Sequence, residues 1–224
     1  MSYSTAEIRN EFDRLADVYD EKWEQSKHFY GQIVKHIPQN GRVLEIGCGA
    51  GTLTRMMAER AKEVIALDLA PQMLAIAKTR SSKFTNISYF ENDFMSWDFA
   101  EESFDFIASV ATLHHLPFED ALTRMKRALK VGGEIFILDL YKNEGFVNLI
   151  LSGVNISLLS LLNLRDFKRL RAPEVVRDAW REHEKFDEYM SVKEIRERAA
   201  KILPDVKIKK ELLWRYSLVW QKRN

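Results

Sequence analysis

The segment Val43-Leu44-Glu45-Ile46-Gly47-Cys48-Gly49-Ala50-Gly51 constrains the fold most, because an apolar run closes on a carboxylate and then on three glycines at alternate positions. It reads as a buried strand breaking into a tight turn. Glycines there supply positive φ and remove the Cβ atoms that would keep a ligand off the backbone, and Thr52 to Arg60 has helix-forming composition. Strand, turn and helix N-terminus together make a cradle for a nucleoside cofactor, whereas an isolated glycine motif is equally compatible with a structural turn. A second apolar strand, Glu63 to Asp68, ends in an acid at the spacing of a ribose-binding carboxylate in a βαβ unit. A dinucleotide fingerprint would want its third glycine where Thr52 stands and needs no acid at Glu45.

At this point the chain resembles the class I S-adenosylmethionine-dependent methyltransferases, whose first motif is an acid followed by alternating glycines, as in Glu45, Gly47, Gly49 and Gly51, and whose second is the acid matched by Asp68. Glu91-Asn92-Asp93-Phe94 is similar to that family's adenine-binding corner. Phe104 to Val110 resembles its fourth strand, and Leu113-His114-His115-Leu116 the loop that follows. Leu129-Lys130-Val131-Gly132-Gly133-Glu134 resembles its turn into strand five, with Val131 where proline is usual. The resemblance is nearest to the small-molecule branch that includes the quinone C-methyltransferases. It implies S-adenosyl-L-methionine as cofactor, held by Tyr19, Glu45, Gly47, Cys48, Gly49, Gly51, Asp68, Leu69, Met73, Asp93, Phe94, Ser109 and Val110. Glu45 would reach the methionine amino group through water and the glycine amides would face it directly.

The resemblance also implies the fold, a Rossmann-like seven-stranded, mostly parallel sheet with helices on both faces and an antiparallel last strand. Hydrophobic patterning agrees: helices over Thr5–Tyr19, His28–Ile37, Thr52–Arg60, Pro71–Arg80 and Phe118–Leu129 alternate with strands at Arg42–Ile46, Glu63–Asp68, Ile87–Glu91, Phe104–Ser109 and Glu134–Asp139. Ser191 and Glu194 form a capping box for a helix that Pro204 ends, and Val206–Leu212 with Tyr216–Trp220 predict a hairpin closing the sheet. We expect one domain: lid helices in 1–41, a cofactor-binding core in 42–140, a helical insertion capping the substrate in 141–190, and a terminal helix and hairpin in 191–224. Tyr19 has two open readings, contact with the methionine end of the cofactor or anchorage of its helix.

The chemistry expected is in-line displacement of a sulfonium methyl by a small, partly apolar acceptor. Orientation alone can supply on the order of 7–11 kcal/mol, so a catalytic side chain is optional. His114 and His115 lie at the carboxyl edge of strand four, where one could act as general base with a pKa near working pH, or both could merely shape the loop. His28, His36 and His183 show no ligand spacing with a second His or Cys, so no metal site is expected. Cys48, the only cysteine, reads as a small packed residue rather than a nucleophile.

A formal net charge of +1 advertises no nucleic-acid partner, and the Asn-Pro-Pro-Tyr type motif of amino-methylating nucleic-acid enzymes is replaced by Ser109-Val110-Ala111-Thr112. Residues Met1 to Asn10 lack the apolar core of a secretory signal, so a cytoplasmic location is expected. Gly145 to Leu164 carries no charge over twenty residues. It fits a cap over the active site, a dimer contact, an interfacial helix for a lipid-like acceptor or, less well given Asn148, Ser152, Asn155 and Asn163, a membrane span. Monomer and homodimer both stay open. Two rival functions remain, a noncatalytic S-adenosylmethionine-binding interaction protein and a nicotinamide dinucleotide oxidoreductase.

Overall fold

A computed structural model describes residues 4–19, 24, 26–142, 157, 160–162, 164–165, 172–183 and 187–224. Seven strands form a single sheet in the order β3-β2-β1-β4-β5-β7-β6: β1 Arg42–Ile46, β2 Glu63–Asp68, β3 Ile87–Glu91, β4 Phe104–Val110, β5 Leu129–Leu140, β6 Lys207–Lys210 and β7 Arg215–Gln221. The first five pair in parallel, and β7 runs antiparallel to both β5 and β6. This is the fold class expected above.

The near-continuous burial of β1, β2 and β4 follows from helices on both faces, because successive side chains of a strand point to opposite sides. On one side Leu44, Ile46, Ile65, Ile107 and Ile135 meet α5 (Phe118–Ala128) and α7 (Val192–Ala200). On the other, Val43, Val64, Phe106 and Phe136 meet α2 (Lys27–His36) and α3 (Thr52–Ala58). α1 (Thr5–Val18) opens on a Ser4–Glu7 capping box and packs against α4 (Pro71–Arg80) and α6 (Glu174–His183), placing Leu15 against Ala70 and Met73.

Element ends differ from the sequence expectation by a few residues, with one instructive case. The Leu129–Glu134 stretch, expected as a turn, is already strand β5, entered directly from α5. Gly132 at φ +82° kinks the strand, its amide donates to the Lys222 carbonyl, and the register against β4 shifts between Phe104 and Phe106. A bulge pinned by β7 therefore does the work assigned to a turn. β6 is shorter than the predicted Val206–Leu212, with Lys207, Lys209 and Lys210 on an exposed edge strand. The expected contacts of 145–164 with membrane, lipid or partner lie largely outside the described residues. Among those residues, no helix is long and apolar enough to cross a membrane.

Candidate functional site

The carboxyl ends of the parallel strands, the loop 111–117 and the inner face of α1 enclose a cavity of about 780 Å³. Of the residues the sequence singles out, Tyr19, Glu45, Gly47, Cys48, Gly49, Asp68, Leu69, Met73, Asp93, Phe94, Val110, His114 and His115 line it. Gly51 and Ser109 do not. Gly51 sits at φ +76° as the N-cap of α3, where a Cβ would meet the Tyr89 hydroxyl at 2.6 Å, and Ser109 is wholly buried within β4.

The three glycines thus have different duties. A Cβ on Gly47 would lie 2.0 Å from Thr112 Oγ1, so this glycine lets β1 pass the loop after β4. Gly49, at φ +49°, has nothing within 4 Å of a Cβ position and borders the cavity. The expectation that glycine amides face a bound ligand is not met. Gly47 and Cys48 both donate to the Leu67 carbonyl at 2.9 Å, Gly51 donates to the Cys48 carbonyl, and Gly49 donates to Asp68 Oδ2 at 2.7 Å. An ammonium group is in any case a donor, so only carbonyl and carboxylate oxygens suit it.

Asp68 is the hinge of the cradle. Its Oδ1 accepts from the Ala70 amide at 2.9 Å while Oδ2 holds Gly49, which leaves lone pairs on both oxygens for hydroxyl donors. Burial raises its pKa against those backbone hydrogen bonds. Glu45, 3% exposed, accepts from Thr54 Oγ1 at 2.5 Å; burial pushes its carboxyl up to about 8, and the neighbouring Glu24 and Asp68 add to the rise. Burial likewise raises the Cys48 thiol well above its ordinary value, in keeping with a packed rather than reactive sulfur. Asp93 Oδ1 accepts from the Met95 amide, and Phe94 stacks on Phe99 at 6.0 Å while one side reaches the cavity.

Glu24 escaped the sequence reading. Its two oxygens take hydroxyl donors from Tyr19, at 2.7 Å, and from Tyr30. Both readings of Tyr19 therefore describe the same side chain: it packs against the Leu15–Met73 cluster and also lines the cavity, with its hydroxyl 3.3 Å from Thr52 Oγ1. Glu24 and Asp68 give that end of the cavity an acidic wall suited to a cationic group, beside a Glu45 whose buried carboxyl is held mostly protonated at neutral pH.

Next to Gly47, Ala111 adopts φ +49° and turns the chain into the short helical turn Leu113–His115. His114 Nδ1 lies 2.6 Å from Asp139 Oδ1, and its backbone amide donates to Asp139 Oδ2 at 2.9 Å. Burial works against the imidazolium, but Asp139 and then Asp187 outweigh it and hold the His114 pKa at about 9. His115 is pushed down to about 2 by burial and by the adjacent charged His114. The expectation of a base with pKa near neutrality is thus not met by either. Asp187 and His183, which spacing did not connect to the pair, converge on it, and His114, His115 and Asp187 offer ligand atoms all within 4.8 Å of one another. No local motif could have signalled this, because the contributing segments lie on different elements.

Residues 43–133 match the model of a methyltransferase domain. The chain is 32% identical over 151 residues to a demethylmenaquinone methyltransferase of Tropheryma whipplei strain Twist, covering 64% of this chain and 63% of that protein. It is 33% identical over 139 residues to a 2-phytyl-1,4-naphtoquinone methyltransferase of Thermosynechococcus vestitus, covering 57% and 62%. The chain thus spans a little under two thirds of the length of these curated relatives. Among solved structures, it resembles phosphoethanolamine N-methyltransferase 2 of Haemonchus contortus in complex with S-adenosyl-L-methionine, with TM-score 0.61, 20% identity, and coverage of 93% of this chain and 44% of that one. It also resembles the N-methyltransferase NodS of Bradyrhizobium japonicum WM9 in complex with S-adenosyl-L-homocysteine, with TM-score 0.60, 16% identity, and coverage of 97% and 99%. At these identities the two structures speak to the fold alone.

Proposed function

We propose that this chain is a class I S-adenosylmethionine-dependent methyltransferase that transfers a methyl group from S-adenosylmethionine to a small, partly apolar acceptor of quinone type, a reading supported by the methyltransferase-domain match and the named relatives. The observation that carries the reading is the two-ended cavity. Its glycine-turn end presents Glu24, Glu45 and Asp68, and its other end presents Ile8, Phe12, Leu116, Trp180 and Met190. A cofactor with a cationic amino acid tail and a ribose diol suits the first, and a flat apolar acceptor the second. The quinone-type acceptor rests on the names of the relatives, two of which act in naphthoquinone methylation by those names.

In this reading the lone pairs left on Asp68 take the ribose hydroxyls, and carboxylates rather than amides take the methionine ammonium. Asp93 and Phe94 flank the adenine. Val110 and the Gly47 backbone bound the point where the methyl moves between the two ends. The sulfonium supplies the electrophile, so the protein's task is alignment and exclusion of water. His114, with Nδ1 held by Asp139 and Nε2 facing Asp187, is suited to shaping the acceptor wall, and neutral His115 to packing or accepting a hydrogen bond.

The test is calorimetric titration of the purified protein with S-adenosylmethionine, S-adenosylhomocysteine and NADH, repeated on Asp68→Ala, followed by a methyl-transfer assay on demethylated naphthoquinols and benzoquinols. Micromolar binding, about −8 kcal/mol, of both sulfur ligands that is lost in the variant, with turnover of a quinol, is the expected result. Binding of NADH without either sulfur ligand would overturn the assignment. Sulfur-ligand binding with no turnover of any quinol would remove the acceptor class.

A further inference from the structure

The side chains of His114, His115, His183 and Asp187 are only 3–6% exposed, and three imidazole Nε2 atoms point at a single carboxylate oxygen. Asp187 Oδ1 lies 3.6 Å from His114, 3.7 Å from His115 and 3.7 Å from His183. From these observations we propose that His114, His115 and Asp187, whose ligand atoms all lie within 4.8 Å of one another, form a binding site for a divalent first-row transition ion of the zinc class, at the wall of the cavity that His114 and His115 line, with His183 packed beside it.

The spacing separates this account from an ordinary ion-pair network. Charge-assisted hydrogen bonds between imidazolium and carboxylate close to roughly 2.7–2.9 Å. Ligands of one tetrahedral ion with bonds of about 2.0–2.1 Å instead stand roughly 3.4 Å apart. The distances from Asp187 Oδ1 to His114 and His115, 3.6 and 3.7 Å, lie close to the second value and well outside the first. Hydrogen bonding agrees. Among the described residues, His115 Nε2 and Asp187 Oδ1, two of the three ligand atoms, are buried without a hydrogen-bond partner. Two such atoms facing one another are an unusual cost, since each forgoes a bond that water would have given it.

The groups behind the cluster are arranged as outer partners of metal ligands usually are. Asp139 occupies His114 Nδ1 at 2.6 Å, which leaves Nε2 with its lone pair toward the centre once the charge is displaced. The Tyr189 hydroxyl donates to Asp187 Oδ2 and so aims Oδ1 inward. Phe12 closes an apolar shell with its ring edge-on to His115 at 5.5 Å and to His183 at 4.7 Å, and Trp180 lies 5.6 Å from His183. Two imidazole nitrogens and one carboxylate oxygen, with a fourth position left open, form a borderline donor set that suits zinc, cobalt or iron(II) better than calcium or magnesium. The site does not depend on the methyltransferase reading, and its test does not use activity.

The full chain, stripped with a chelator and dialysed, is titrated with Co²⁺ while visible absorption is recorded, then with Zn²⁺, and the bound ion is counted by native mass spectrometry. We expect one equivalent per chain, cobalt ligand-field bands that Zn²⁺ abolishes, and a thermal midpoint raised by Zn²⁺. His114→Ala and His115→Ala should each weaken binding by roughly tenfold or more, as should Asp187→Asn, which keeps the shape of the site should the alanine variants fold poorly. His36→Ala should bind like the parent. Absence of a bound equivalent in the parent chain overturns the proposal. So does binding that Asp187→Asn and the two alanine variants leave unchanged, which would place the ion elsewhere. S-adenosylhomocysteine titration of the same samples reads the cofactor assignment independently of either result.

Discussion

His114 Nδ1 lies 2.6 Å from Asp139 Oδ1, joining the loop after β4 to the end of β5 through a buried imidazole–carboxylate contact. Strands β4 and β5 are neighbours in the sheet, so the contact fixes how the loop leaves the strand and where the two adjacent histidines stand.

With chelator present, Asp139→Asn should lower the His114 pKa from about 9 and destabilise the protein by about 3–5 kcal/mol at pH 6, because it leaves one member of a buried pair unpartnered. The sign can be checked. A histidine whose pKa rises on folding from an ordinary 6.5 contributes stability in full below 6.5 and loses it as pH climbs through about 9. Urea midpoints of parent and variant should therefore differ more at pH 6 than at pH 9.5. A gap that widens with pH would mean that Asp139 does not act through His114.

Glu45 has the opposite chemistry and the same direction of dependence. Its carboxyl rises from an ordinary 4.5 to about 8 because burial disfavours the charged form. Stability is then greatest below pH 4.5 as far as this group is concerned, and falls as pH rises through 8. Glu45→Gln should flatten the decline in urea midpoint between pH 5 and pH 8.5 relative to the parent. An unchanged slope would mean that Glu45 is already ionised in the fold.

Gly47→Ala and Gly49→Ala should separate packing from binding. The first forces a Cβ to within 2.0 Å of Thr112 Oγ1 and should destabilise the protein severely. The second adds a methyl with nothing within 4 Å, at a cost of about 1–2 kcal/mol for its left-handed backbone, and should chiefly impair S-adenosylhomocysteine binding. Denaturation and calorimetry on both variants check this, and equal losses of stability would refute the division of labour.

Asp68→Asn should weaken S-adenosylhomocysteine binding by roughly tenfold or more, since a charge-assisted hydrogen bond contributes about 1.5–3 kcal/mol. The asparagine also offers donors toward the Gly49 and Ala70 amides, which need acceptors. Calorimetry gives the affinity, and an affinity equal to the parent's would remove Asp68 from the ribose site.

The sheet was legible because its signals are local. Val43 to Ile46 and Phe104 to Ser109 are short apolar runs, and buried parallel strands have no other way to be written. The Ser191–Glu194 capping box was visible for the same reason, and both of its reciprocal bonds are present. Less legible was the start of β5, where Lys130-Val131-Gly132-Gly133 has turn composition but is held in the sheet by partners on β4 and β7. The cofactor cradle could be read as far as its residue types, and the allocation of its amides could not. Whether the Gly47 N–H serves a ligand or the Leu67 carbonyl depends on the distance between β1 and β2 ends. The four-residue His–Asp cluster was invisible because it joins the 114–115 loop to residues near 183–187, while Glu24 was missed although its partners Tyr19 and Tyr30 are close in sequence, because no motif marks a carboxylate between two tyrosines.

Cys48 gives the protein a timekeeper of its own. The only thiol in the chain is buried in the middle of the glycine turn and held in its unreactive protonated form. Because the thiol residue is only 6% exposed, an alkylating reagent modifies it chiefly during moments when the turn lifts from Ala66 of β2 and Leu74 of α4. The labelling rate of the unmodified protein counts those moments, and any molecule that seats itself against the turn will slow the clock without a probe having been engineered in.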